Sequence, residues 1–234
     1  MKKGRAANFF SDEEINAIRS AIAGAESDTS GEIVPMVVDR SDSYREAEVL
    51  GSVLVSGITA LAIEAGLQLY MLWAAGSDWT QGRLETSLAL HSISIWTYIP
   101  LVFILFFAVR PAFRRFDRLK LLFVGRRRIA EAVRERAVRA FYEKGLYRTR
   151  DETGVLILIS LLEHKVWILG DRGIDRKIPE KDWLALAGEL SDGIREGQSC
   201  KALCSVIASC GEELAKHFPR KADDIDELEN DLIR

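Results

Sequence analysis

Four carboxylates bracket one apolar stretch of this 234-residue chain: Asp151 and Glu152 before Gly154 to Ser160, and Asp171 and Asp175 after Lys165 to Gly170. Carboxylate oxygens converging at one sheet edge can hold Ca²⁺ or Mg²⁺, hard ions that take several oxygen ligands. The same acids also read as a solvated loop edge pairing with Arg150, Arg172 and Arg176. A second group is expected at the opposite edge: Asp39 and Asp42 after the apolar run Ile33 to Val38, with Ser160, Glu163 and His164 between the two segments. Open α/β sheets bind ligands there, at the carboxyl ends of parallel strands. Cys200, Cys204 and Cys210, with His217 beyond them, have the residue types of a metal site. All three thiols share the apolar stripe of one helix, where cysteine serves as a small core side chain, free in a reducing compartment. The three histidines are His91, in an apolar run, His164 and His217, and they offer no Ser/His/Asp triad. Gly170-Asp171-Arg172-Gly173 lacks the spacing of a phosphate-binding loop.

The elements that must position these residues follow from periodicity. Gly154 to Ser160 and Lys165 to Gly170, Val/Ile/Leu-rich and separated by about four turn residues, predict a β-hairpin in a buried sheet. Ser11-Asp12-Glu13-Glu14 is a capping box, and Ile15, Ile18, Ile22 and Ala25 follow at helical spacing. Glu32 to Asp39 predicts a strand whose Pro35 points to a sheet edge or a bulge. Ile129, Val133, Ala137, Ala140 and Phe141 form the apolar face of a crossover helix stopped by Gly145. The crossover makes the first strand parallel to Gly154 to Ser160. Two more helices follow Pro179 and Ser199, with stripes at Trp183, Ala187, Leu190 and Ile194, then Cys200, Leu203, Cys204, Ile207, Cys210 and Leu214. This order predicts an α/β sandwich with helices on both faces of a small mixed sheet.

A membrane insertion interrupts that pattern. Hydrophobic residues at 48% beside 29% charge suggest a water-soluble domain joined to membrane segments. Residues 49–75 and 88–109 are each long and apolar enough to cross a bilayer, with Trp73, Trp79 and Trp96 near the interfaces. The chain thus divides into 1–45 (first helix and strand), 46–110 (transmembrane helical hairpin), 111–128 (basic juxtamembrane segment) and 129–234 (the rest of the domain). Arg110, Arg114, Arg115, Arg118 and Lys120 are expected at lipid headgroups, and the positive-inside rule places both termini in the cytoplasm of a two-pass inner-membrane protein. Met1 to Asn8 has no secretory-signal pattern. Glu64, mid-span, is expected to be protonated or to face a helix, a membrane-protein partner or a second copy. Nucleic acid is not an expected partner, because no aromatic stacking pattern accompanies the arginines.

Ala140-Phe141-x5-Tyr147-x-Thr149-x3-Thr153-Gly154-Val155-Leu156-Ile157, with Gly170-Asp171-Arg172-Gly173-Ile174 and Asp182-Trp183, resembles the TPM-domain family. The resemblance covers Phe9 to Asp39 and Ala130 to about Leu232, with the hairpin between them as in a bacterial membrane-bound branch. It implies an α/β/α sandwich. It also implies one of two functions: an accessory, assembly or quality-control factor for a membrane complex, or a membrane-tethered divalent-metal-dependent phosphatase of low activity.

Overall fold

Each predicted element forms where its capping and apolar spacing place it. The structure is a computed structural model that describes residues 4–74, 82–220 and 231–234, with side chains outside 71, 72, 74 and 82–95. Residues 75–81 between the two apolar stretches, Trp79 among them, the His91 side chain and residues 221–230 lie outside the described residues. The chain divides into two units, Met1–Ser43 with Arg126–Arg234, and Tyr44–Gly125.

In the first unit, helix α1 (Asp12–Glu26) opens on the expected box. The Glu14 amide donates to Ser11 Oγ at 3.3 Å, and the Ser11 amide to Glu14 Oε2 at 2.8 Å. Strand β1 (Glu32–Val38) pairs parallel with β2 (Gly154–Ser160), Glu32 opposite Gly154 and Val38 opposite Ser160. β2 pairs antiparallel with β3 (Lys165–Gly170), giving a three-stranded mixed sheet in the order β1-β2-β3. Every residue of β1 and β2 is buried, which explains their unbroken apolar runs.

The two-residue period sorts the strands onto two cores. Ile33, Val37, Val155, Ile157, Ile159 and Ile168 share one with α1, α7 (Glu180–Arg195) and α8 (Ser199–His217). Val34, Met36, Val38, Leu156 and Leu158 share the other with Val133, Ala137, Ala140 and Phe141 of the crossover helix. The result is the expected α/β/α sandwich.

Pro35 sits on the sheet edge, not in a bulge. The Glu32 amide points to β2, donating to Thr153 O at 3.2 Å. Alternation therefore turns position 35 outward, where no ladder donor is needed. That side is closed by the last residues of the chain: Ile233 N donates to Pro35 O at 3.0 Å and Val37 N to Ile233 O at 2.9 Å.

The second unit holds α2 (Arg45–Ala74), α3 (Gly82–Arg115) and the short α4 (Asp117–Leu121), while α5 (Arg126–Glu143) is the crossover helix back in the first unit. Two stretches, Arg45–Tyr70 with mean hydropathy 1.7 and Trp96–Arg115 with 1.6, are long and apolar enough to span a membrane. α2 and α3 lie side by side. A Cβ on Gly51 would fall 2.5 Å from the Phe113 ring, so glycine permits the close approach, and the Tyr98 hydroxyl donates to Gly57 O at 3.3 Å.

Candidate functional site

Both sheet edges hold candidate residues, and parallel pairing of β1 with β2 sets which residues meet at each. At the carboxyl edge the ladder continues past the strands, with Leu161 N donating to Val38 O and Leu162 N to Asp39 O, both at 3.0 Å. This brings Ser160 and Glu163, both buried, against the loop after β1. Ser160 Oγ donates to Glu163 Oε2 at 2.5 Å, Ser41 N donates to Glu163 Oε1 at 2.9 Å, and the two serine hydroxyls lie 2.8 Å apart. The ring gives each Glu163 oxygen a donor and joins β1's exit loop to the β2–β3 turn. It is a buried clamp that fixes two serine hydroxyls beside a carboxylate.

The other residues expected at this edge turn elsewhere. Asp42 Oδ2 accepts from Arg128 Nη2 at 2.7 Å, and Asp39 Oδ1 from Ala6 N at 2.7 Å. His164 is exposed, with φ 51°. Ser41 was not singled out from sequence; the available signal was its place in a polar loop directly after an all-apolar strand.

At the amino edge, Asp171 leaves β3 and caps α6 (Arg172–Asp175), its Oδ1 accepting from Arg172 N at 2.7 Å. Asp171 N donates to Gly154 O at 2.9 Å. Gly173 lies so close to the 151–152 turn that a Cβ would be 2.6 Å from Glu152 O and 2.9 Å from Asp151 O. All four expected acids therefore share this edge. Asp171 is buried and its Oδ2 has no hydrogen-bond partner, Asp151 is half-buried, and Glu152 and Asp175 are exposed. Although Asp175 is largely exposed, partial desolvation by its packed neighbours raises its pKa, and the neighbouring charges of Asp171 and Glu180 raise it further. Among the described residues no three His, Cys, Asp or Glu side chains are gathered to hold a metal ion. Two further buried carboxylates, Glu26 and Glu32, escaped the sequence reading. Glu26 Oε1 accepts from Ile33 N at 2.9 Å, and Glu32 stands opposite Gly154.

Residues 119–212 match the family model of the TPM domain. This segment is similar to a TPM domain. Within that match lie β2, β3, α6, both expected acid pairs and the Ser160–Glu163 bond. The chain is also similar in fold to the NMR structure of the BA42 protein from the psychrophilic bacterium Bizionia argentinensis, with a TM-score of 0.53, 21% identity, and 96% of this chain and 94% of that one covered. No curated protein matches it.

Outside the sheet, the residues expected at the membrane are placed as follows. Glu48 Oε1 accepts from Arg110 Nε at 3.2 Å and Arg114 Nε at 3.1 Å. The buried Lys120 ammonium lies 2.8 Å from Asp117 and 4.0 Å from Glu48. Arg115 and Arg118 are exposed. Glu64 is half-buried. The cysteines are free, Cys210 buried and the other two half-buried, as the stripe predicted. Burial pushes the Cys210 thiol up to about 12.

Proposed function

We propose that this chain is a membrane-anchored TPM-domain protein that acts by binding, as an accessory, assembly or quality-control factor for a membrane protein complex. The observation that carries this reading is the apolar surface of α2 and α3. Ile58, Leu69, Ile104 and Phe107 are each 67% exposed, and Trp96 is 82% exposed. Such surface is costly in water and marks contact with lipid or another apolar surface. The basic flanks favour an inner-membrane hairpin with both termini cytoplasmic, and Arg115 and Arg118 are among the exposed cations for anionic headgroups, Arg114 being exposed as well while it pairs with Glu48. Glu64 supports a polar contact with a partner or a second copy within the bilayer, since an ionisable side chain there is expensive unless paired.

Crosslinking in native membranes tests this. A discrete partner band, or a homo-oligomer, is expected from the wild-type chain and is expected to disappear in Glu64→Leu; a ladder of unrelated neighbours unaffected by that substitution would overturn the reading.

A second reading, a divalent ion at the amino edge serving weak phosphatase chemistry, is favoured by the unpartnered Asp171 Oδ2 and the crowded charge at Asp175. With no gathered set of three side-chain ligands among the described residues, such an ion would rest on these two carboxylates and water, a manner of binding usual for Mg²⁺. Asp171→Asn is then expected to abolish any rise in melting temperature caused by millimolar Ca²⁺ or Mg²⁺. No rise in the wild-type chain removes this reading.

A further inference from the structure

The outer edge of β3 is open. Asp171 N bonds to Gly154 across the β2–β3 ladder, so by alternation Asp171, Leu169 and Trp167 direct their backbone groups to β2. Val166, Ile168 and Gly170 direct theirs outward. Among the described residues none of those outward groups is paired with another strand. Natural sheets blunt such edges with prolines, bulges or charges; from Val166 to Gly170 there is no proline and no charge. The opposite edge of the same sheet, β1, is closed by residues 231–234 of the chain itself. The two edges are treated differently.

The open edge lies in a groove of about 510 Å³, between Arg134 of α5 on one side and Trp183, Leu184 and Ala187 of α7 on the other. That volume is of the order taken by a bound peptide segment or small ligand. Trp183 is 5% exposed and its indole N–H has no acceptor; the buried Trp167 N–H also has none. Charge selects the occupant. At the Gly170 end the groove is lined by Asp175 and Glu180, and no cation pairs with either among the described residues. The chain's own stretch 221–230, rich in Asp and Glu, has the wrong sign for that end. A second copy of the sheet would bring its own α5 and α7 against these two, so a narrow, extended segment fits better than another β3.

We propose that the β3 edge docks an extended segment of a partner protein, which adds a fourth strand between α5 and α7 and seats a lysine or arginine against Asp175 and Glu180. This is strand addition: main-chain bonds supply affinity, and alternate side chains supply specificity. It rests on the binding function proposed above and assigns that function a surface in the soluble domain.

A random dodecapeptide library displayed on phage, selected on the full-length chain in detergent micelles, tests it. Enriched peptides are expected to alternate β-branched or aromatic residues with polar ones and to carry Lys or Arg near one end. The synthetic form of the best peptide is expected to slow amide exchange of Val166, Ile168 and Gly170 at least tenfold. Glu180→Lys and Leu184→Arg, both at exposed positions, are expected to weaken its binding at least tenfold without changing the circular dichroism spectrum. Failure to enrich any sequence, peptides that leave β3 exchange unchanged, or sedimentation showing that a second copy already protects these amides would each overturn the proposal. If Leu184→Arg still crosslinks to the same membrane partner as wild type, this docking site fails while the binding function stands. If wild type captures no partner, the function fails with it.

Discussion

Asp175 shows how local charge at a single residue sets a pH dependence. Its pKa is raised by partial desolvation and by the carboxylates of Asp171 and Glu180, so its ionised form is less stable in the folded chain than in the unfolded one. Protonation is therefore linked to folding. The stabilising contribution is fully present below the ordinary aspartate value of 3.8 and is lost as the pH rises through the folded-state value. Asp175→Asn is expected to raise the melting temperature at pH 7 and to leave it unchanged at pH 3, measured in paired thermal scans. An equal shift at both pH values would show that charge is not the cause. The acids at this edge were legible in sequence because they lie within five residues of Gly154 and Gly170, the glycines that bound the hairpin. Glu26 and Glu32 were not: a glutamate at a helix end or a strand start reads as solvent-facing, and only the packing of α1 over β1 buries them.

Among the elements, the exit loop of β1 and the β2–β3 turn are joined by one carboxylate. Glu163→Ala removes the carboxylate that accepts from both the Ser41 amide and the Ser160 hydroxyl, and no other oxygen takes its place as acceptor for the Ser41 amide. Leaving such a buried group unmatched costs about 1–3 kcal/mol, and chemical denaturation is expected to show a loss of that size. Ser160→Ala removes one donor to the carboxylate and is expected to cost less. Ser41 and Glu163 are 122 positions apart in sequence, and no periodic pattern links a loop serine to a turn glutamate, so this clamp could not be foreseen. The helices and strands could. α1, α5, α7 and α8 have their apolar stripes where the spacing put them, and the parallel pairing of β1 with β2 follows from the crossover helix.

For the whole molecule, the sheet is assembled from distant parts of the chain: β1 before the helical insertion, β2 and β3 after it, and the bridge from Ile233 beyond α8. Removing residues 231–234 withdraws two backbone bonds from β1, the buried Leu232 side chain and the Arg19–Asp231 pair. Truncation is expected to lower the melting temperature of the domain, and to speed amide exchange at Val37 more than at Ile157, which lies on the central strand. This last connection was invisible in sequence because a single bridge carries no period, and Pro35 announced only that the edge existed. The late position of Ile233 also fixes an order of events during synthesis. When β1 leaves the ribosome its partner strand lies more than a hundred residues downstream, beyond both long apolar helices, and its outer cover at Ile233 lies further downstream still. The sheet therefore closes only after the apolar helices have been made and, on the membrane reading, have entered the bilayer. A completed sheet is then itself a record that both long apolar helices were made before it.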